Sequence, residues 1–129
     1  MKIEEFVNVE AQFVIADIDD AAANPNRGAL DPVTVIMRKR SAGAGWLIVT
    51  CFDGAWTCFW GSMGKTTMRE FMLSCGPEYV ADCLVRRSTG MIGNRKREDI
   101  ERRYVLRIAM AIDEALRDPA IHGLINSNP

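Results

Sequence analysis

Residues 61–67 of this 129-residue chain are the ones most suggestive of phosphate chemistry. They read Gly-Ser-Met-Gly-Lys-Thr-Thr, follow a predicted strand and open a predicted helix, as a phosphate-binding loop does. In such a loop, backbone N–H groups cradle the phosphates of a nucleotide and the lysine contacts them. The full pattern requires a glycine five positions before Gly64, where this chain has Phe59. We therefore expect a turn that does not bind nucleoside triphosphates, with at most a weak anion site at the helix N-terminus.

Basic side chains crowd into residues 86–107, where they could form a surface for phosphates or for an acidic protein. Three arginines have a carboxylate four residues earlier on the predicted helix: Glu98 precedes Arg102, Asp99 precedes Arg103, and Asp113 precedes Arg117. The other basic residues of the segment are the candidate binding residues: Arg86, Arg87, Arg95, Lys96, Arg97 and Arg107. A solvated helix face beside a loop explains the same pattern, so nucleic-acid binding is the alternative function.

Thiols and carboxylates show no catalytic or metal-binding spacing. The four cysteines include no C-x-x-C pair, and His122 is the one histidine available to activate a thiol or ligate a metal. The tightest carboxylate cluster, Asp17, Asp19 and Asp20, has no further ligand group tied to it by spacing. We predict no catalytic residue, no metal and no cofactor, and we expect all four cysteines to be reduced.

The elements that must position these side chains include a predicted antiparallel meander. β-Branched and aromatic residues favour strands over residues 33–38, 46–52 and 55–60, after a weaker strand signal over 12–18. Small residues in 41–45 predict the first turn. Asp53-Gly54 predicts a two-residue type I′ turn, in which both residues need positive φ.

That second turn sets a register between the last two strands. The predicted facing pairs are Phe52 with Ala55, Cys51 with Trp56, Val49 with Cys58, and Leu47 with Trp60. One face of the hairpin then carries Leu47, Val49, Cys51, Trp56, Cys58 and Trp60. The other face carries Trp46, Ile48, Thr50, Phe52, Thr57 and Phe59. Because both faces are largely apolar, each needs cover from helices or from another subunit.

Periodic apolar residues predict three helices, over 65–75, 78–85 and 98–118, with Gly76 and Pro77 separating the first two. Residues 86–97 are polar and glycine-bearing, and we predict a loop there. The longest helix has a predicted apolar stripe of Ile100, Tyr104, Ile108, Ala111, Ile112 and Ala115. Together these elements predict one α+β domain over 1–129, an antiparallel three- to four-stranded meander packed with three helices.

The composition is that of an ordinary globular protein, with a net charge of −1 and 48% hydrophobic residues. Residues 1–32 hold seven acidic and two basic residues, so an acidic start precedes a mildly basic body. No apolar run approaches the ~18 residues of a membrane span, and the N-terminus does not resemble a signal peptide. We expect a bacterial cytoplasmic protein without a membrane partner.

Three stretches in the middle third of the chain resemble small proteins carried by tailed phages and prophages. They are Cys-Phe-Asp-Gly-Ala-Trp at 51–56, Phe-Trp-Gly-Ser-Met-Gly at 59–64, and Arg-Glu-Phe with Ser-Cys over 69–75. Those relatives are of uncharacterised function. The resemblance implies a phage or bacterial context and an accessory gene, and it implies no catalytic residues.

The sequence thus favours a non-enzymatic phage accessory protein that binds a macromolecule, with a host or phage protein as the partner. Inhibition of a host system is one way for such a protein to act, by analogy with other small phage proteins. The alternative is a nucleic-acid-binding module that uses the basic segment 86–107, and an enzyme ranks third. A second copy of the chain is a further candidate cover for one apolar sheet face.

Overall fold

The computed structural model describes residues 1–3, 9–18, 32–51, 54–89 and 95–123, and for 87–89, 95–98 and 122–123 only the backbone course. Four strands form one antiparallel sheet in chain order: β1 (Val9–Ile15), β2 (Val33–Ser41), β3 (Ala44–Cys51) and β4 (Gly54–Trp60). Three helices follow, α1 (Met68–Cys75), α2 (Pro77–Thr89) and α3 (Arg95–Arg117), and then a 3₁₀ turn at Pro119–Gly123. This architecture confirms the predicted α+β class.

The first two strands differ from their predicted bounds. β1 ends at Ile15, which pairs with Val33, so it begins and ends earlier than the predicted 12–18. β2 runs on to Ser41, which pairs with Ala44, so the first turn is shorter than predicted. The turn can be that short because Gly43 has a φ of 75°, a left-handed conformation that costs glycine little.

The register predicted between β3 and β4 is wrong by two residues. Cys51 pairs with Gly54 and Val49 pairs with Trp56, whereas Cys51 was expected opposite Trp56. Because a shift of two residues preserves the strand alternation, the predicted division between the two faces still holds. All six residues expected on one face are buried: Leu47, Val49, Cys51, Trp56, Cys58 and Trp60.

The reason for the shift lies at Gly54, which is the first residue of β4 and has no positive φ. A Cβ atom at this position would come within 2.9 Å of the Trp56 indole, two residues along the same face. Gly54 therefore makes room for the Trp56 ring inside the strand, and the expectation of a positive φ there is wrong. The other half of the predicted turn, Asp53, lies outside the described residues.

The helices are positioned differently from prediction at their ends. Thr67 is the N-cap of α1, and its Oγ1 accepts a hydrogen bond from the Glu70 N–H, so this helix begins after the predicted residue 65. Pro77 is the first residue of α2, one position before the predicted start at residue 78, and proline is well suited to a first helical position. α2 continues to Thr89 and α3 begins at Arg95, so most of the predicted loop 86–97 is helical. Arginine and lysine are good helix formers, and packing between α2 and α3 favours the longer helices.

The core lies between one face of the sheet and the three helices. α3 contributes Val105, Ile108, Ile112 and Leu116, spaced as one helical face. Ile100 was predicted in this stripe but is 60% exposed, because Glu101 is the residue in phase with Val105.

Two polar contacts join α3 to the sheet across the core. The Trp56 indole Nε1 donates to Glu101 Oε1 at 2.9 Å, and the Tyr104 hydroxyl donates to Cys51 Sγ at 3.3 Å. The Trp56 and Tyr104 rings are neighbours, with centroids 5.8 Å apart. These contacts join the first half of α3 to β3 and β4, on the side of the sheet that carries the core.

Candidate binding face of the sheet

The side of the sheet that points away from the helices carries a continuous set of side chains from all four strands, which we call the outer face. Strand alternation places eleven residues there: Gln12, Val14, Thr34, Ile36, Arg38, Trp46, Ile48, Thr50, Ala55, Thr57 and Phe59. None of them belongs to the buried core. The outer face is therefore an apolar and hydroxyl-bearing surface that the described helices do not cover.

Two aromatic rings lie side by side on the outer face. Trp46 on β3 pairs directly with Phe59 on β4, and their ring centroids are 5.1 Å apart with the planes tilted by 46°. Ile48 pairs with Ile36 of β2 next to them. Cross-strand aromatic and β-branched pairs of this kind stabilise a sheet, so they order the surface as well as making it apolar.

Two arginines border the aromatic pair. Arg38 pairs with Trp46 across β2 and β3. Arg40 is the extra residue of a β-bulge between Lys39 and Ser41, and its guanidinium carbon lies 5.9 Å from the Trp46 ring centroid, within cation–π range. Arg38, Arg40, Trp46 and Ile48 line an open depression of about 390 Å³.

The charged residues of the four strands are mostly basic and lie at one end of the sheet. Their basic residues are Arg38, Lys39 and Arg40, all at the end of β2 next to the first turn. Their one acidic residue is Glu10, and its carboxylate is directed to the N-terminus of α1. The eleven residues of the outer face include no carboxylate, and the basic residues of the described strands lie at the end of the sheet next to the first turn.

Glu10 also binds the helix N-terminus that follows residues 61–67, the segment that resembles a phosphate-binding loop. It is the extra residue of a β-bulge between Val9 and Ala11, and such bulges redirect side chains. Its two carboxylate oxygens accept hydrogen bonds from the backbone N–H groups of Met68 and Arg69, each at 3.1 Å. A carboxylate of the protein thus takes the position that an anion would occupy at this helix N-terminus.

The glycines of the segment have structural roles as well. The Met63 N–H donates to the Gly43 carbonyl at 2.7 Å, and a Cβ on Gly43 would lie 2.7 Å from the Gly64 carbonyl oxygen. The first turn of the sheet and the strand-to-helix turn therefore pack backbone against backbone. A small cavity of about 140 Å³ beside them is lined by Lys39 and Lys65 among others. That these residues do not bind nucleoside triphosphates stays a prediction.

The six residues predicted from the sequence as a basic binding site lie at the end of α2, in the first turn of α3 and, for Arg107, near the middle of α3. Arg86 is exposed near the end of α2, Arg87 follows it, and Arg95, Lys96 and Arg97 form the first turn of α3. The side chains of Arg87 and of residues 95–97 lie outside the described residues. Arg107 is ten residues beyond Arg97, roughly 15 Å along the helix. Whether any of them binds a ligand stays a prediction.

Carboxylates accompany several arginines of this region. Arg102 Nε donates to Asp82 Oδ1 of α2 at 2.8 Å, and this hydrogen bond raises the pKa of Arg102. The predicted Asp113–Arg117 pair is present at 2.9 Å. Arg107 is half-buried and lines a cavity of about 380 Å³ with three acidic residues, Asp17, Glu114 and Asp118. The described part of the basic segment is therefore partly neutralised.

The thiols and possible metal ligands of the described residues are not gathered into one site. None of the four cysteines forms a disulfide, and Cys51 and Cys58 are buried. Within the described ranges, no three His, Cys, Asp or Glu side chains lie close enough together to hold a metal ion. Of the helices that the structure describes, none combines the length and apolarity needed to cross a bilayer.

Sequence reasoning identified part of the outer face and missed the rest. It placed Trp46, Ile48 and Phe59 together on the side opposite the buried residues of the hairpin. It did not connect them with Arg38 and Arg40, because the predicted strand stopped at residue 38. The alternation of apolar and basic residues over 34–40 was the available signal, since it continues the strand to the turn.

Comparison with known proteins gives one match. No curated protein and no solved structure is significantly similar to the chain. A protein-family model described as a phage family, Phage_phiTE_072, matches residues 10–115. The match begins at Glu10 in β1 and ends near the end of α3, so it includes the whole sheet apart from its first residue and the N-terminal turn of α1. The resemblance seen in the middle third is thereby confirmed over most of the chain, and this protein belongs to that phage family.

Proposed function

We propose that this phage protein is a non-enzymatic accessory protein that acts by binding another protein through the outer face of its sheet. The observation that carries the proposal is the outer face itself, an ordered apolar surface outside the core. Apolar area left in contact with water favours association, because burying it yields ~25 cal/mol per Å². Contiguous apolar patches with a polar rim are typical of protein-binding sites.

The composition of the outer face favours a protein over a nucleic acid. A sheet that binds single-stranded nucleic acid stacks bases on aromatic rings that have an accessible face. Here Trp46 is in contact with Phe59 and with the Arg40 guanidinium, and the surface around them is aliphatic or carries threonines. An aromatic residue, aliphatic neighbours and arginine together are the usual composition of a protein-interface centre.

A binding role also agrees with the kinds of side chain that the outer face carries. The outer face carries no cysteine, histidine or carboxylate that could act as a nucleophile or a general base. We place the protein in the cytoplasm of the bacterial host, with a host protein as the first candidate partner and a phage protein as the second. Blocking a host protein's own surface is the simplest action for a binder of this size.

Affinity capture with matched variants tests the proposal. Tagged protein is incubated with lysate of a phage-susceptible bacterium, and the captured proteins are compared between wild type, the double variant Val14→Glu and Ile48→Glu, and the control Met110→Glu. Val14 and Met110 are both exposed apolar residues, at 61% and 49%, but Met110 lies on α3 on the helix side of the sheet. Circular dichroism and thermal melting check that each variant is folded.

The expected result is a defined protein that binds wild type and the Met110 variant and is lost from the outer-face variant. Capture that is equal for all three proteins would contradict the proposal. Recovery of nucleic acid in place of protein, with loss after nuclease treatment, would also contradict it and favour the basic segment.

A further inference from the structure

We infer that the protein forms a symmetric dimer in which the edge strand β4 pairs antiparallel with β4 of a second copy, with Thr57 opposite Thr57 on the two-fold axis. The two four-stranded sheets then form one sheet of eight strands. The surface involved is the edge of the sheet and not its outer face, so the dimer and the proposed function can fail separately.

The two edges of the sheet differ in their protection against further pairing. Among the described strands, β1 and β4 are the edges, and each pairs with one neighbour. β1 has a bulge at Glu10, a charged residue, and bulges and charges are the usual means by which an edge avoids another strand. β4 pairs with β3 over all seven of its residues without a shift in register. It contains no charged residue and no proline, so neither device blocks its outward side.

An edge strand of this kind tends to pair with another strand. β4 is regular, uncharged and rich in aromatic residues, and its Ala55 and Thr57 side chains are exposed. When two copies pair through β4, each covers the unprotected edge of the other. The outer strands of the combined sheet are then the two bulged β1 strands, so the symmetric pairing closes at two chains.

The sequence of β4 is complementary in size to itself when two copies run antiparallel. With Thr57 on the axis, each aromatic residue is opposite a residue with a small side chain or none. The pairs are Trp56 with Cys58, Phe59 with Ala55, and Trp60 with Gly54. In this register, residues of the core side meet residues of the core side, and residues of the outer face meet residues of the outer face. This match in size is what favours a second copy over an unrelated strand.

The neighbouring registers fit less well. Because side chains alternate between the two faces, the nearest alternatives that keep each face together are centred on Trp56 or on Cys58. The first places two Trp56 indoles opposite each other, where Tyr104 and Glu101 already contact this ring. The second places Trp56 opposite Trp60. Each alternative leaves one end of the seven-residue strand unpaired, whereas the register centred on Thr57 pairs the whole strand.

Thr57 is suited to the position on the axis. It is exposed and uncharged, so two copies can lie opposite each other without the repulsion that like charges would cause. Its β-branched side chain favours a strand. Thr57 and Cys58 each have an interaction within the chain, and the pairing requires neither side chain to be unbonded.

The mass of the purified protein in solution tests the dimer, by size-exclusion chromatography with light scattering at micromolar concentrations. We expect wild type at twice the 14.4 kDa of one chain. Thr57→Lys places two lysines opposite each other on the axis, and Ala55→Lys places a lysine opposite Phe59, so both should have the mass of one chain. Val14→Lys is the control, because Val14 is 61% exposed on the other edge strand, and this variant should remain a dimer.

Circular dichroism and thermal melting check that each variant is folded, and two edge variants are used in case one of them is not. A monomeric wild type would overturn the inference and leave the proposed function standing. Dimers in the folded lysine variants of β4 would also overturn it. So would loss of the dimer in Val14→Lys, or in the double variant Val14→Glu and Ile48→Glu, since either would point to the outer face or the other edge.

Cysteine cross-linking tests the register. In Thr57→Cys the two Cα atoms on the axis are ~5 Å apart, within the range of a disulfide, so oxidised glutathione should link the two chains and be reduced to two thiols. In Ala55→Cys the two copies are offset by four residues along the strands, roughly 13 Å, and should not link. Val14→Cys, on the other edge, should not link either.

Non-reducing electrophoresis gives the fraction of covalent dimer, and wild type gives the background from the four native cysteines. The expected result is a covalent dimer from Thr57→Cys alone. A covalent dimer from Ala55→Cys or Val14→Cys in place of Thr57→Cys would overturn the proposed pairing.

Discussion

The carboxylate of Glu10, on a bulge in the first strand, accepts hydrogen bonds from the backbone N–H groups that begin α1, that of Met68 among them at 3.1 Å. The two residues are 58 positions apart in the chain, so this contact fixes the first helix to the edge of the sheet. It also gives the helix N-terminus a negative charge, which the helix dipole favours.

Replacing Glu10 with Gln tests the strength of this cap. The amide keeps an acceptor oxygen but loses the charge and one of the two equivalent acceptors. We expect a loss of about 1 kcal/mol in the free energy of unfolding, measured by urea denaturation. Glu78→Gln in the first turn of α2 is the matched control, because Glu78 is exposed, and it should change stability by no more than about 0.5 kcal/mol. Equal effects of the two variants would show that the Glu10 contact adds little.

The same contact leads to a prediction about nucleotides. Because Glu10 already takes the backbone N–H groups at the start of α1, we expect no micromolar binding of ATP or GTP in titration calorimetry, with or without magnesium. Lys65→Ala should leave the calorimetric trace unchanged. Micromolar binding that disappears in the Lys65 variant would show that residues 61–67 bind phosphate after all.

Gly43 and Gly64 give a matched pair of stability predictions. Both have positive φ, 75° and 76°, so alanine is strained at either position by ~1 kcal/mol. At Gly43 a Cβ would also meet the Gly64 carbonyl oxygen at 2.7 Å, whereas nothing lies within 4 Å of a Cβ at Gly64. We expect Gly43→Ala to lower the melting temperature clearly more than Gly64→Ala, since backbone atoms cannot move aside as a flexible side chain can. Equal melting temperatures would contradict the close approach of the two turns.

Thiol labelling provides a prediction for the cysteines. Alkylation without reductant in denaturant should modify four thiols, because none of the four cysteines forms a disulfide. In the native protein, the half-buried Cys75 and Cys83 should react before the buried Cys51 and Cys58. Intact-mass spectra over time give the count and the order. Fewer than four modified thiols in denaturant would indicate a disulfide.

The sequence predicted the inside and outside of the hairpin correctly and its register incorrectly, for different physical reasons. The period-two alternation around Trp46 and Trp56 is set by burial, and a shift of two residues does not disturb it. The register depends on where the turn falls, and a glycine can serve either a turn or close packing. At Gly54, the close contact with the Trp56 indole determines the register. No local sequence pattern indicates that contact.

The helix ends and the outer face show the same limit. The polar stretch around Arg86 and Arg95 reads as a loop locally, but packing between α2 and α3 extends both helices into it. Glu10 carries no sequence signal of its role, because its partner at Met68 becomes its neighbour only in the folded chain. Contacts between distant segments, rather than local preference, decide each of these features.

The basic segment, residues 86–107, should bind nucleic acid only weakly. Arg102 and Arg117 have carboxylate partners, and Arg107 lies on a cavity with three acidic residues, so a part of the positive charge is neutralised locally. The chain as a whole has a net charge of −1. We therefore expect weak, sequence-independent binding of DNA or RNA that is lost by about 150 mM salt, as measured by fluorescence anisotropy with a labelled single strand and a labelled duplex.

A surface with about six phosphate contacts would behave differently, losing on the order of a thousandfold in affinity between 50 and 200 mM salt from a tight starting value. The combined neutralisation of Arg86, Arg87, Arg95, Lys96 and Arg97 to Gln separates the two cases. On our expectation it removes the weak low-salt binding and leaves capture of the protein partner intact, because the outer face is formed by the sheet. Sub-micromolar binding at about 150 mM salt that these substitutions abolish would make the nucleic-acid module the better description of the protein.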